Sequence, residues 1–476
     1  MTHPAAKKDA FTQLLLVTLV IIVLVRFALL GSYPLLGTTE PRYAELARKM
    51  LATGDWVTLW VLDGVPLWGK PPLLFWLDTI SMRLFGVNEF AVRLPPFLAS
   101  LATLSLLWFW PTKSSKMPLI AGLIYMSTPV GFLATGFVAT DIFLAGGLAL
   151  SMVGFWRAVS NHASNGKQTN QTTIWHWLFF VGMAIGLLAK GPLSLVLLGV
   201  ALFLWASFSP IVRVRLAWQS LPWWRGLALM ALLAFPWYIM AEIRTPGFLN
   251  HFIIGEHIQR FLVKDWDGGR FAPSHGEPLG MIWWFALESF MPWILLAIPS
   301  VYVLCKTKLS LQVQYLLCWV LAPLLFFSLS HNILEAYVLP ALPAFAILMG
   351  LAIEQLILQR RGWRWSMLLA AITPLVMLVL VLFFYQAFET QSQKHLLKNW
   401  TPSTPLIYVG GVPPSGVFYS NNQAKEAASF AAIEQMQSQQ PRTVIMHQTV
   451  FDSLSPKQKT DWQLIEAYSE YVMLRK

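Results

Sequence analysis

Polar positions are rare along most of this chain and arrive in bursts. Apolar runs fall near residues 12–33, 94–110, 117–137, 141–156, 175–189, 192–208, 226–241, 281–304, 311–329, 336–357 and 365–385. A helix needs roughly 20 apolar residues to cross a bilayer, within a range of about 17–25, so the pattern predicts about eleven spans and at most about thirteen. The connections at about 34–93 and about 242–280 are far longer than that topology requires. Loops of such length usually carry function.

Within the first long connection a helical period returns. Tyr43, Leu46, Ala47 and Met50 share one face, Thr39 or Glu40 can cap the start, Pro41 suits the opening turn and Gly54 ends it. "GVPLWGKPP" then reads as extended chain, and "PLLFWLDTISMRLFG" as a second amphipathic helix lying in the interface. After residue 385 the pattern changes to short alternations. "TPLIYVGG" and "RTVIMHQTV" predict strands, and "NQAKEAASFAAIEQMQSQ" predicts a helix between them. The fold expected is a polytopic α-helical membrane domain over 1–385 followed by a small α/β domain over 386–476.

Composition agrees: 56% hydrophobic residues, 12% charged and a mean hydropathy of +0.56 exclude an ordinary soluble domain. The 23 Trp suit interfacial belts. A net charge of +11 would point to nucleic acid in a soluble protein. Here the positive-inside rule accounts for it, because alternate connections hold Lys7 and Lys8, Lys113 and Lys116, Arg157 and Lys167, Arg213, Arg215 and Arg225, Lys306 and Lys308, and Arg360, Arg361 and Arg364. The bias predicts a cytoplasmic N-terminus and a C-terminal segment on the outer side, with no nucleic-acid partner. The first run is long and lacks a small-residue cleavage site, so it reads as a retained helix. Cys305 and Cys318 lie in or beside apolar sequence and imply no disulfide framework.

The outer connections hold the residues that could do chemistry. Glu40, at the outer end of the first span, is either a general base or a solvated helix-start acid. Arg42 beside it is a phosphate clamp or a surface charge. Asp141 opens the run after "GFVAT"; an acid there costs a few kcal/mol unless it is paired or lines a wet cavity, although N-capping is an alternative. Lys70 and Lys190, each flanked by Gly and Pro, could neutralise a phosphate or simply snorkel. Arg26 lies inside the first span and needs an anionic or carbonyl partner. In the second loop Glu256, His257 and Arg260 occupy neighbouring helix faces, with His275 and Glu277 following. His257 and His275 with a carboxylate could hold a metal, but their spacing matches no standard zinc pattern. His331 and Tyr337 sit at another outer helix end, and Trp68 and Tyr43 flank the first loop's charges. All these groups come from distant segments to one side of the membrane, which describes an outward-facing cavity under a roof of interfacial helices.

"TTEPRYAELARKMLATGDWVT", "GVPLWGKPPLLFW" and "FGVNEFAVRLPP" resemble the first outer loop of bacterial GT-C glycosyltransferases, the relatives of protein O-mannosyltransferases and lipid A aminoarabinose transferases. "TD" at 140–141, "LLAKGP", "PWYIMAEIRTPGFLNHFIIGEHIQRF" and "AYVLPALPAFAILMG" continue the likeness in order over most of 10–360. The resemblance implies an enzyme of the bacterial cytoplasmic membrane with a periplasmic active site. Its donor would be a polyprenyl-phosphate sugar, its acceptor a glycolipid or a protein, and transfer would proceed with inversion. One carboxylate, Glu40 or Asp141, would deprotonate the acceptor, and Arg42, Lys70, Arg260, Lys190 and Arg26 would stabilise the departing phosphate. Tyr43, Trp68, Glu256, His257, His275, Glu277, His331 and Tyr337 would line the substrate cavity. Two departures stand out. Relatives commonly carry Asp-Glu where this chain has Thr39-Glu40. Aminoarabinose transferases tend to have Glu where this chain has Gly69, so no obligatory metal or other cofactor is expected, and the chain differs from an aminoarabinose transferase proper. Rival readings are a polyprenyl-lipid-binding protein without catalysis, and a transporter, which should show inverted repeats.

Overall fold

The protein was examined as a computed structural model, in which residues 4–62, 64–112, 114–164, 173–264, 266, 276–297, 300, 309–359, 390–436 and 441–476 are described. The run expected at 365–385 lies outside them, as does His275. Helices α1 (Pro4–Ala28), α2 (Thr39–Thr53), α3 (Leu73–Phe85), α4 (Glu89–Leu106), α5 (Met117–Ser127), α6 (Pro129–Ala134), α7 (Asp141–Ser164), α8 (Ile174–Lys190), α9 (Leu193–Ser207), α10 (Pro210–Ser220) and α11 (Trp223–Arg244) form the first part. Among the described residues, four helical segments are long and apolar enough to span a membrane, Glu89–Phe109, Asp141–His162, Trp223–Arg244 and Glu335–Glu354. Five shorter apolar helices accompany them. The protein is a multi-pass integral membrane protein.

Both surface helices of the first connection form where the pattern puts them. In α2 the face of Tyr43, Leu46, Ala47 and Met50 is buried, and Gly54 closes the helix in the left-handed conformation that glycine adopts without strain. No side chain caps its start, because Glu40 turns inward instead. The α3 helix buries Leu74, Phe75 and Met82 while Leu84 and Phe85 stay exposed to the apolar surroundings. A two-stranded antiparallel ribbon, β1 (Trp60–Leu62) and β2 (Val65–Pro66), joins the two helices.

The α7–α8 pair sets the geometry that matters most. A Cβ on Gly147 would lie 2.8 Å from the Gly182 carbonyl oxygen, and one on Gly154 would lie 2.9 Å from that of Trp175. Only glycine lets two backbones approach so closely, as in small-residue contacts between membrane helices. The helices run antiparallel, so the start of α7 meets the end of α8.

The C-terminal part is a five-stranded sheet in the order β4-β3-β5-β7-β6: β3 (Leu406–Val409), β4 (Lys425–Ala427), β5 (Thr443–His447), β6 (Gln463–Tyr468) and β7 (Tyr471–Arg475). Strands β4, β3 and β5 are parallel, and β7 and β6 add antiparallel. Alternate residues pack on its two faces: Ile407, Val444 and Val472 on one, Tyr408, Ile445 and Met473 on the other. The long helix expected from "NQAKEAASFAAIEQMQSQ" is confined to Phe430–Gln435, because Lys425–Ala427 is drawn into the sheet as β4. Helix Pro414–Tyr419 docks against α2 and puts Phe418 into the core of the membrane part.

Candidate active site

One cavity of about 90 Å³ is built from six segments far apart in sequence. The opening turn of α2 contributes Thr39, Arg42 and Tyr43; the β2–α3 connection, Gly69 and Lys70; the chain entering α7, Thr140 and Asp141. Lys190 ends α8, Glu256 and Arg260 come from a helical stretch at 248–262, and Tyr337 comes from the 3-10 helix Glu335–Ala341. A smaller space of about 60 Å³, also lined by His257, adjoins it through Lys70, Lys190, Glu256 and Arg260.

The close backbone contact of α7 and α8 brings Asp141 and Lys190 together across 49 residues: Lys190 Nζ donates to Asp141 Oδ1 at 2.5 Å. Each charge also suits its helix end, the acid at an N-terminus and the base at a C-terminus. Lys190 Nζ lies 4.5 Å from the centre of the Tyr337 ring, a cation–π contact that fixes the ammonium inside the cavity. Arg260 donates to Glu256 Oε2 at 3.0 Å within the helical turn. Burial, helped by the charge of Lys190, holds the Lys70 ammonium down to about 8. Burial also pushes the Tyr43 phenol up, so Tyr43 stays protonated as a hydrogen-bond donor.

Several expected site residues lie elsewhere. Glu40 does not reach the cavity: it is fully buried, and its carboxylate accepts from Arg93 Nε at 3.1 Å and from an Arg93 terminal nitrogen at 2.7 Å. It also accepts from the Leu36 and Val138 amides at 2.8 and 3.1 Å. An acid with all these donors has no lone pair turned toward an acceptor hydroxyl. Arg26 is likewise spent, donating to the Phe132 and Leu133 carbonyls and the Tyr33 hydroxyl, and so is remote from any phosphate in the cavity. Trp68 donates to Thr245 at 3.2 Å and packs its ring at a tilt against that of His251, beside the cavity. His331 Nδ1 contacts the Glu277 carbonyl oxygen at 3.1 Å, and the two residues hold one loop to another away from the site. His257 borders the smaller space, yet its Nδ1 lies 2.7 Å from the Phe252 carbonyl oxygen and its Nε2 lies 3.0 Å from that of Lys190. With both its ring nitrogens against carbonyl oxygens and Gly69 offering no carboxylate, His257 is not set out as a metal ligand.

Arg93 is the residue the sequence reading passed over. It sits at the edge of an apolar run, where the argument applied to Arg26 would have found it. Beyond the polar cavity lies an apolar groove of about 690 Å³ between α3, α4, α7 and α8. Leu73 stands three residues from Lys70, and Ile142 stands next to Asp141, so the groove and the charged cavity are lined by neighbouring residues at the starts of α3 and α7.

A roof of interfacial helices over a charged pocket, carried on a multi-pass helical body with a small appended sheet, is the GT-C glycosyltransferase fold. The family profile of the dolichyl-phosphate-mannose-protein mannosyltransferases matches residues 10–252, and the chain belongs to that family. The undecaprenyl phosphate-alpha-4-amino-4-deoxy-L-arabinose arabinosyl transferase 1 of Pseudomonas fluorescens (strain Pf0-1) is 31% identical over 356 residues, covering 72% of this chain and 58% of that protein. The corresponding transferase of Enterobacter sp. (strain 638) is 27% identical over 450 residues, covering 84% and 77%. The chain thus spans less than two thirds of the length of the first of these relatives. Among solved structures, ArnT from Cupriavidus metallidurans bound to undecaprenyl phosphate superposes with a TM-score of 0.78 at 20% identity, over 98% of both chains.

Proposed function

We propose that the protein is a glycosyltransferase of the bacterial inner membrane that moves a sugar from a polyprenyl phosphate to a periplasmic acceptor, a glycolipid in preference to a protein. The observation that carries this reading is the pairing of a cationic pocket with an apolar groove built from neighbouring residues. Arg42, Lys70, Lys190 and Arg260 line the pocket, and the groove is apolar, a combination that suits a phosphate whose substituent is a long hydrocarbon. The relatives named above, transferases of a sugar carried on undecaprenyl phosphate, support it. The separation of charge supports the orientation: Lys116, Arg157 and Arg213 gather at the end of the helices opposite Asp141 and Lys190, which fits a cytoplasmic N-terminus and a periplasmic site and C-terminal domain.

The chemistry then follows from this chain's own groups. Asp141 takes the proton of the acceptor hydroxyl as its oxygen attacks the anomeric carbon. The bond from that carbon to the phosphate oxygen breaks, its electron pair stays on the phosphate, and configuration inverts. Lys70, Arg260 and Arg42 stabilise the charge that grows on the leaving phosphate. Lys190 orients Asp141 through their ion pair. No step is routed through a metal ion.

The test is release of polyprenyl phosphate by the purified protein from synthetic polyprenyl-phosphate sugars, with a membrane lipid extract as acceptor source. Asp141→Asn should lower kcat by about 10²–10⁴, the range for removal of a general base. Thr39 lines the cavity where relatives carry an acid, and this favours one second reading, a lipid-binding protein that has lost its chemistry. Saturable binding of polyprenyl phosphate with no release from any donor would establish that instead.

A further inference from the structure

Glu256 engages only one of its two carboxylate oxygens. Its Oε2 accepts from Arg260, while Oε1 is enclosed and has no hydrogen-bond partner among the described residues. The side chain is 4% exposed and borders both polar spaces. A buried carboxylate oxygen without a donor is costly, and in a residue that lines two polar spaces it marks a place where a ligand can supply the donor. Two local features set where the carboxylate lies. Residues His251–Gln259 wind as a π-helix, a distortion that re-aims side chains at functional sites. Gly69 removes the obstacle opposite, since a Cβ at that position would stand 3.2 Å from both Cδ and Oε1 of Glu256.

The chemistry of the cavity narrows what the ligand group can be. A phosphate oxygen would meet Oε1 as one anion meets another. An ammonium group would enter a cavity lined by four cationic side chains, in which Asp141 and Glu256 already face Lys190 and Arg260. A hydroxyl group suffers neither penalty. We infer that Glu256 Oε1 accepts a hydrogen bond from a ring hydroxyl of the transferred sugar, and so selects a neutral sugar. This rests on the transferase reading above.

The experiment uses the full chain in detergent with four probes: a polyprenyl-phosphate neutral hexose, its deoxy analogues lacking one ring hydroxyl each, a polyprenyl-phosphate 4-amino-4-deoxypentose, and bare polyprenyl phosphate. In the wild type the neutral donor should exceed the amino sugar by about tenfold or more in kcat/KM, the scale of a lost hydrogen bond in a site built for it. Glu256→Gln turns an amide toward the sugar, and Gly69→Ala displaces the carboxylate. Each should raise KM for the neutral hexose by about tenfold, with little change in kcat or in binding of bare polyprenyl phosphate. One deoxy analogue should be indifferent to both substitutions. Equal weakening of bare polyprenyl phosphate would overturn the inference, since Glu256 would then act only through Arg260 on the phosphate. A wild-type preference for the amino sugar would overturn it as well. If no donor is turned over, the transferase reading fails by itself. Glu256 is then decided by binding alone: a variant that distinguishes sugar-bearing from bare lipid supports its role, and one that does not overturns it.

Discussion

Glu40 receives four hydrogen bonds from protein groups, whereas Asp141 shares its cavity with the cations that would hold a phosphate. Substituting each should therefore fail differently. In Glu40→Gln, Arg93 keeps its charge in a buried site without its counter-charge, which typically costs about 3–5 kcal/mol. The expected outcome is a lower melting temperature in detergent with kcat per folded molecule unchanged; a catalytic base would show the reverse. Lys70 predicts a pH dependence. Its pKa is depressed to about 8, chiefly by burial, so it is charged below that pH and neutral above it. If its charge holds the donor phosphate, kcat/KM falls as pH rises through about 8, and Lys70→Arg removes that alkaline limb. A profile flat to about pH 9.5 in the wild type would show that the charge is not used. The acids and bases themselves were legible from the sequence as polar groups at membrane depth. Which acid faced substrate was not, because the partner that occupies Glu40 lies 53 residues away and pairing at that distance leaves no periodic trace.

At the scale of elements, the α7–α8 contact does the positioning. Gly147→Val would drive a side chain into the Gly182 carbonyl and part the two helices, separating Asp141 from Lys190. Donor turnover should drop by more than about tenfold, as expected when reacting groups are misplaced by about an ångström. Gly199→Ala on α9 is the control: nothing lies within 4 Å of the added methyl group, and activity should be unchanged. A Gly147→Val enzyme with full turnover would show that the helix contact does not position the pair. The surface helices α2 and α3 were readable because a single amphipathic face and a glycine stop are local signals. The run near 336–357 was readable as apolar but not as a 3-10 segment, Glu335–Ala341, leading into a helix. That tight opening is what turns Tyr337 toward Lys190.

Across the whole molecule, the C-terminal domain is fastened to the segments flanking α2 and α3 by a polar cluster around Glu89. The Tyr419 hydroxyl donates to Glu89 Oε1 at 2.8 Å and accepts from the Leu35 amide at 2.8 Å, and Lys394 pairs with the same Glu89 at 2.5 Å. Tyr419→Phe removes both hydroxyl bonds. Hydrogen exchange at the Leu35 amide should then accelerate while the amides of β5 keep their protection; an unchanged rate at Leu35 would mean that the fastening does not restrain the loop. The strands of this domain were legible from short apolar alternations, but its attachment was not, since it depends on residues more than 300 positions apart.

Asp141 and Lys190 stand at the near ends of an antiparallel helix pair, so the chain that joins the two helices meets their far ends, a membrane's thickness from the chemistry. The pair is held by the close contacts along the helices. A gene interrupted there, and translated as two polypeptides, would still encode the glycine contacts that bring the acid and the ammonium together.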